Sequence, residues 1–86
     1  MKILIVEDDP MHSDRFEMLA DQLGYDVAAV CDNAFDALGY FHSTQPDLLL
    51  LDIHLKGETD GVQLAEKIIQ IRPVPIVFVS SMDDDN

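Results

Sequence analysis

The stretch LLLLDIHL, residues 48–55, places four consecutive leucines directly before an aspartate. Apolar runs of this kind are typical of a strand that is buried on both faces of a parallel sheet. An ionised aspartate is costly to bury without a partner, so Asp52 is expected where the strand leaves the core. The stretch therefore predicts a buried strand that ends at a carboxylate with a chemical role.

Short apolar runs alternate with amphipathic segments along the rest of the chain. The predicted strands are 3–6, 26–30, 48–51 and 76–79, with one helix between each successive pair. Strands that are joined through helices of ten or more residues run parallel, and the crossovers are right-handed. The sequence therefore predicts an α/β doubly wound sheet with helices on both faces.

The helix ends carry recognisable signals. The first helix has Asp9 as a candidate N-cap, with Pro10 at the first helical position. Gly24 suits the left-handed residue that ends this helix. Asp32 or Asn33 can cap the second helix. The residues expected on the buried helix faces are Phe16, Leu19, Ala20 and Leu23, then Ala34, Ala37, Leu38 and Phe41, then Leu64, Ala65, Ile68 and Ile71.

Length and charge narrow the class of protein. Eighty-six residues allow one domain, and seventeen acidic against five basic residues give a net charge of −12, which disfavours nucleic acid and anionic membranes as partners. The longest apolar runs are too short to span a bilayer. The single Cys31 cannot close an intramolecular disulfide, so the expected compartment is the cytoplasm.

Three of the four predicted strands end in polar side chains: Glu7-Asp8-Asp9, Asp52 and Ser80-Ser81. In a parallel sheet these ends lie on the same carboxyl edge, where open α/β sheets bind their ligands. An acid after a strand can also simply cap the next helix, as Asp9 is expected to do. Three coordinated strand ends nevertheless predict a cluster of carboxylates.

Such a cluster needs a counter-charge. Two carboxylates about 4 to 5 Å apart repel each other by roughly 3 to 4 kcal/mol at an effective dielectric constant near 20. Mg²⁺ suits a site that offers a few carboxylates and a backbone carbonyl. With Glu7 and Asp8 on the metal, Asp52 is the natural nucleophile for a phosphoryl group, and Ser80 can donate its hydroxyl to that group.

At these residues the sequence resembles the receiver domain of bacterial two-component response regulators. The resemblance rests on ILIVEDDP (3–10), LLLLDIHLKGETDG (48–61) and IVFVSS (76–81), and it covers the whole chain. It implies a flavodoxin-like sheet of strand order 2-1-3-4 that lacks the family's fifth βα unit. Residues 1–86 are thus expected to form a single receiver domain that is truncated at its C-terminus.

The resemblance also implies residue roles. Asp52 would accept a phosphoryl group from the phosphohistidine of a sensor histidine kinase or phosphotransfer protein, or from a small phosphodonor. Glu7, Asp8, Asp52 and the backbone carbonyl of His54 would hold Mg²⁺, and Ser80 would act as the hydroxyl switch that signals phosphorylation through a conformational change. The chain would not be an enzyme beyond this transfer to its own aspartate.

Two departures from the family pattern carry consequences. Lys56 stands where the family commonly has proline, and the sequence stops before the strand that carries the family's phosphate-binding lysine, so that no lysine here matches that position. The fourth strand would then be an edge prone to pairing. We expect a fragment of a larger regulator, or a homodimer formed through that edge.

Other functions fit the residues less well. A magnesium-dependent phosphohydrolase needs a D-x-D pair after the first strand, and a flavin-binding domain needs a hydroxyl-rich phosphate loop there. The serious alternative is a receiver-like interaction or oligomerisation module that is not efficiently phosphorylated. The side chains of His12, His42 and His54 lack metal-ligand spacing, and Gly57 and Gly61 are expected to serve loop geometry.

Overall fold

The structure, a computed structural model, describes residues 1–80. Its elements, in chain order, are β1 Lys2–Val6, α1 Pro10–Gln22, β2 Asp26–Cys31, α2 Ala34–Thr44, β3 Leu48–Asp52, α3 Gly61–Ile71 and β4 Ile76–Val79. The predicted alternation is confirmed, and each predicted strand agrees with the structure to within one residue at either end. Ser81, which the sequence groups with Ser80, lies outside the described residues.

The strands form one parallel four-stranded sheet in the order β2-β1-β3-β4. This is the predicted flavodoxin-like order. Val6 at the end of β1 pairs with Cys31 on one side and with Leu51 on the other, while Asp52 pairs with Val79. The carboxyl ends of all four strands therefore lie along one edge of the molecule.

The helices cover the two faces of the sheet unequally. Leu49 and Leu51 are fully buried in a core under α2 and α3, together with Phe41, Leu64 and Ile68. The opposite face packs against α1 in a smaller cluster of Ile3, Ile5 and Ala20, with Leu48 and Leu50 only partly buried. Because side chains alternate between the faces of a strand, the leucine run contributes to both cores.

Three residues expected on buried helix faces are exposed. Leu19 and Leu23 on α1 are 52% and 60% exposed, and Ile71 at the end of α3 is 61% exposed. Helix α1 packs against β1 and β2 through Phe16 and Ala20. Within residues 1–80 it is the only helix on its face of the sheet. Helical spacing identifies an apolar side, but only neighbouring elements decide how much of it is buried.

The helix ends follow the predicted signals. The Asp9 side chain accepts a hydrogen bond from Met11 N at 3.0 Å, with Pro10 as the first helical residue. Asn33, rather than Asp32, caps α2 by accepting from Asp36 N at 2.8 Å. Gly24 has φ 82°, the left-handed conformation that the end of α1 requires.

Among residues 1–80, the helices are all too short or too polar to cross a bilayer.

Candidate metal centre

The carboxylates of Glu7, Asp8 and Asp52 meet at the carboxyl edge of the sheet. Glu7 follows β1 directly and Asp52 is the last residue of β3, and these two strands are hydrogen-bonded neighbours. One carboxylate oxygen from each of the three residues lies within 4.8 Å of the other two. The structure therefore brings together the three acids that the sequence singles out.

The turn after β3 fixes two of these carboxylates. Asp52 has no exposed surface, and its Oδ1 atom accepts a hydrogen bond from the backbone N–H of His54 at 2.9 Å. The backbone N–H of Lys56 donates to Asp8 Oδ2 at 3.2 Å. The loop between β3 and α3 thus closes over the acids that come from β1.

The surroundings of Glu7 change the pKa of its carboxyl group. Its side chain is buried, Oε2 accepts a hydrogen bond from Asp9 N at 3.1 Å, and Oε1 is buried without a hydrogen-bond donor. Burial raises the pKa of Glu7 to about 7; the neighbouring Asp52 raises it too, whereas the Asp9 N–H and His12 lower it. Without a bound cation, the pocket therefore favours a proton on Glu7 near neutral pH.

His12 lies beside this cluster, although the three histidines of the sequence show no metal-ligand spacing. Its Nδ1 atom is 3.9 Å from Glu7 Oε2 and 3.5 Å from Asp9 Oδ2. Because Asp9 is the N-cap of α1, the residue three positions on, His12, lies on the same side of the helix as that cap. That spacing is the one sequence signal for the contact.

Gly61, which the sequence assigns to loop geometry, is the first residue of α3 and lies against the end of β3. A Cβ atom at this position would overlap the backbone carbonyl oxygen of Asp52 and would lie 2.9 Å from Ile53 Cα. The Gly61 N–H also donates to Ile53 O at 3.3 Å. The first turn of α3 therefore rests directly on the end of β3, which only a residue without a side chain allows.

Two predicted participants lie at the rim of the site. Ser80 is exposed and follows Val79, whose carbonyl accepts a hydrogen bond from Ile53 N at 2.9 Å. His54 is exposed as well, and its N–H contacts Asp52. The phosphoryl contact of the Ser80 hydroxyl and the metal contact of the His54 carbonyl stay predictions.

The residues present fit a hard divalent cation. Three carboxylates converge, and once Glu7 is ionised its buried Oε1 atom has no hydrogen-bond donor, a state that costs free energy and that a cation would relieve. An all-oxygen ligand set with solvent on one side is the arrangement that Mg²⁺ favours.

Comparison with known proteins agrees with this fold. The family model described as "response regulator receiver domain" matches residues 3–86. The chain is 36% identical, over 100% of its length, to a protein-glutamate methylesterase/protein-glutamine glutaminase of Paramagnetospirillum magneticum. It is also 36% identical, over 99% of its length, to the positive alginate biosynthesis regulatory protein of Pseudomonas aeruginosa.

A solved structure supports the same assignment. The receiver domain of a modulated diguanylate cyclase from Desulfovibrio desulfuricans superposes with a TM-score of 0.88 and 36% identity, over 96% of this chain and 66% of that one. The chain spans 24% and 35% of the lengths of the two relatives named above, which are longer proteins. The fold, the acid cluster and these similarities together show that the chain belongs to the family of response regulator receiver domains.

Proposed function

We propose that this receiver domain accepts a phosphoryl group on Asp52 from the phosphohistidine of a sensor histidine kinase or phosphotransfer protein in the cytoplasm. The observation that supports this most directly is the meeting of Glu7, Asp8 and a fully buried Asp52 within 4.8 Å. A buried cluster of carboxylates is unfavourable unless a cation neutralises it, and such clusters are typical of functional sites. Signalling through a conformational change follows as part of the same proposal.

The metal ligands in this proposal are Glu7, Asp8, Asp52 and the backbone carbonyl of His54. When held by these residues, Mg²⁺ would supply charge neutralisation and an electrostatic attraction for phosphoryl oxygens. Glu7 must give up its proton to serve as a ligand, and its pKa of about 7 allows this at neutral pH. The N–H of Lys56 keeps Asp8 turned toward the pocket.

The transfer step exchanges one bond to phosphorus for another. A carboxylate oxygen of Asp52 attacks the phosphorus atom in line, an O–P bond forms, and the P–N bond to the donor histidine breaks. The electron pair of the broken bond stays on that nitrogen, and the proton on the other ring nitrogen lets the imidazole leave neutral. The His54 N–H holds Asp52 in place, so that catalysis is mainly positioning and charge neutralisation.

Ser80 completes the proposed site. It directly follows Val79, the register partner of Asp52, so its backbone sits at the same edge of the sheet. In the proposal its hydroxyl donates to a phosphoryl oxygen and moves when the group arrives. Movement of Ser80 would reach β4 through the adjoining Val79, and the Ile53–Val79 hydrogen bond would pass it to the end of β3.

Acetyl phosphate with Mg²⁺ tests the proposal directly. We expect the intact mass of the wild-type chain to increase by one phosphoryl group, and Asp52→Asn to remain unmodified. Asp21→Asn is the matched control, because Asp21 is an exposed acid at the far end of α1. Modification that persists in Asp52→Asn would show that the acceptor is a different residue.

The second candidate function is an interaction or oligomerisation module that is not efficiently phosphorylated. It is favoured by the absence, within residues 1–80, of a Lys or Arg ion pair with Glu7 or Asp8. If neither acetyl phosphate nor beryllofluoride with Mg²⁺ changes the mass or the melting temperature of the wild type, this second function is supported.

Self-association through the outer edge of β4 is the partner we propose besides the kinase. Val77 and Phe78 on this strand are 47% and 43% exposed, and Phe78 borders an apolar groove of about 690 Å³ between β4 and α3. The other edge strand, β2, begins at Asp26 and is flanked by the acids of α1. The chain carries a net charge of −12, but β4 contains no charged residue. Two copies that pair along β4 therefore bring no like charges of this strand together.

A further inference from the structure

Backbone N–H groups donate to one oxygen of each carboxylate in the cluster. Two of these hydrogen bonds are local, because the donor lies two residues after the acid. Asp9 N donates to Glu7 Oε2 at 3.1 Å, and His54 N donates to Asp52 Oδ1 at 2.9 Å. A carboxylate brings both of its oxygens to one ion only at the expense of such a bond, so each of these turns favours a single ligand oxygen.

The third of these hydrogen bonds joins two distant parts of the chain. Lys56 N donates to Asp8 Oδ2 at 3.2 Å across 48 positions, from the loop between β3 and α3 to the segment that follows β1. This bond exists only while the loop is closed over the acids. Residue 56 is therefore the point at which the loop, rather than the strand that carries the acid, restrains a carboxylate of the site.

Asp8 is the least enclosed of the three acids. Glu7 and Asp52 are buried, with 2% and 0% of their surface exposed, whereas Asp8 is only half-buried. Close packing holds the two buried side chains in place. Asp8 borders solvent, where packing restrains a side chain less, so its hydrogen bond to the Lys56 N–H has a larger part in fixing its orientation.

The number of oxygens that each acid offers affects which divalent ion the pocket suits. Mg²⁺ prefers an octahedron of about six oxygens at about 2.0 to 2.1 Å, several of them from water. Ca²⁺ takes about six to eight oxygens at about 2.3 to 2.6 Å, and a carboxylate often binds it through both oxygens. A hydrogen bond that limits Asp8 to one ligand oxygen therefore disfavours Ca²⁺ more than Mg²⁺.

We propose that the backbone N–H of Lys56 is a positioning group that limits Asp8 to one ligand oxygen and so raises the preference of the site for Mg²⁺ over Ca²⁺. This inference rests on the metal ligands named in the proposed function and adds a cause for their selectivity. The lysine side chain has no part in it, since its charge acts equally on two ions of the same charge.

Two substitutions at residue 56 separate the N–H from the side chain. We expect Lys56→Pro, which removes the N–H, to lower the ratio of the Ca²⁺ to the Mg²⁺ dissociation constant by about threefold to tenfold, the effect of one hydrogen bond. Lys56→Ala retains the N–H and should keep the wild-type ratio. NMR titration with each ion measures both constants, and a general loosening of the loop would weaken both ions alike. An unchanged ratio in Lys56→Pro, or an equal fall in Lys56→Ala, would overturn the inference.

Amide hydrogen exchange in the wild type gives a second readout that needs no substitution. By thermodynamic linkage, an N–H that favours Mg²⁺ over Ca²⁺ is itself protected more strongly by Mg²⁺. The Lys56 amide should therefore exchange about threefold to tenfold more slowly with saturating Mg²⁺ than with saturating Ca²⁺. Equal exchange rates with the two ions would contradict the inference, even where Lys56→Pro does not fold. A wild type whose NMR spectrum responds to neither ion would instead overturn the proposed metal site, and this inference with it.

Discussion

Glu7 and Asp52 show how the fold changes the chemistry of single residues. Both are buried side by side at the ends of neighbouring strands, and the pKa of Glu7 rises to about 7. The sequence identifies both residues as site candidates, because each follows an apolar strand. It does not reveal the raised pKa of Glu7, since that depends on the burial of its side chain in the folded chain.

The raised pKa of Glu7 predicts a pH-dependent stability in the absence of metal. Folded Glu7 keeps its proton up to a pKa of about 7, whereas in the unfolded chain the proton is lost at the ordinary glutamate pKa of 4.5. The stabilisation is therefore fully present below about pH 4.5 and is lost as the pH rises through about 7. We expect it to be on the order of 3 kcal/mol.

Urea unfolding in EDTA between pH 5 and 8 measures this contribution, with Glu7→Gln as the comparison because glutamine cannot titrate. The free energy of unfolding of the wild type should fall with pH relative to that of Glu7→Gln. A constant difference between the two chains across this range would contradict the prediction.

Asp8 should control the response to Mg²⁺. Ligand binding to the folded state adds about 2.7 kcal/mol when the ligand is at a hundred times its dissociation constant. Millimolar Mg²⁺ should therefore raise the melting temperature of the wild type and of Asp21→Asn, and should raise that of Asp8→Asn by much less. Equal responses of wild type and Asp8→Asn would remove Asp8 from the metal site.

Helix α3 shows how one element sets the geometry of the site. Its start is fixed by a capping box in which the Asp60 side chain accepts from Gln63 N at 2.9 Å and the Gln63 side chain accepts from Asp60 N at 3.0 Å. Gly61 then lets this first turn rest on the carbonyl of Asp52. The sequence locates the helix and its loop, but the close approach involves β3, nine residues earlier, and no local pattern reports it.

Two glycine substitutions distinguish this contact from ordinary helix propensity. Gly61→Ala should lower the free energy of unfolding by about 1 to 3 kcal/mol, because its Cβ would push α3 away from β3. Gly39→Ala is the matched control: Gly39 is exposed within α2 with open space around its Cα, so alanine should raise stability by about 0.5 to 1 kcal/mol. Changes of the same sign in both variants, read by urea unfolding, would rule out the packing explanation.

Charge and exposed apolar surface are distributed unevenly over the whole molecule. The net charge is −12, yet β4 carries no charged residue, and the groove between β4 and α3 is lined by a single charged residue, Glu66. The sequence predicts an exposed fourth strand only through the family resemblance, whereas the observed strand order places β4 at the edge of the described sheet.

Substitution on β4 tests the proposed self-association. The wild type should show a dimer in sedimentation experiments at high concentration, and Val77→Lys should shift it toward monomer, because a charged side chain on an edge strand opposes pairing. Phe35→Lys is the control, since Phe35 is 86% exposed on α2, away from this edge. A wild type that stays monomeric at all concentrations, or equal effects of both substitutions, would exclude pairing through β4.

The sequence by itself determined the order of the elements, the parallel sheet and the edge at which the acids lie. These follow from local periodicity and from the handedness of strand–helix–strand connections, which depend on neighbouring residues in the chain. Only the tertiary structure decided which groups touch there: the burial of Glu7 beside Asp52, the approach of His12, and the bond from Lys56 to Asp8. Contacts between residues as far as 48 positions apart depend on strand register and on how loops close over the sheet, and no local pattern encodes these.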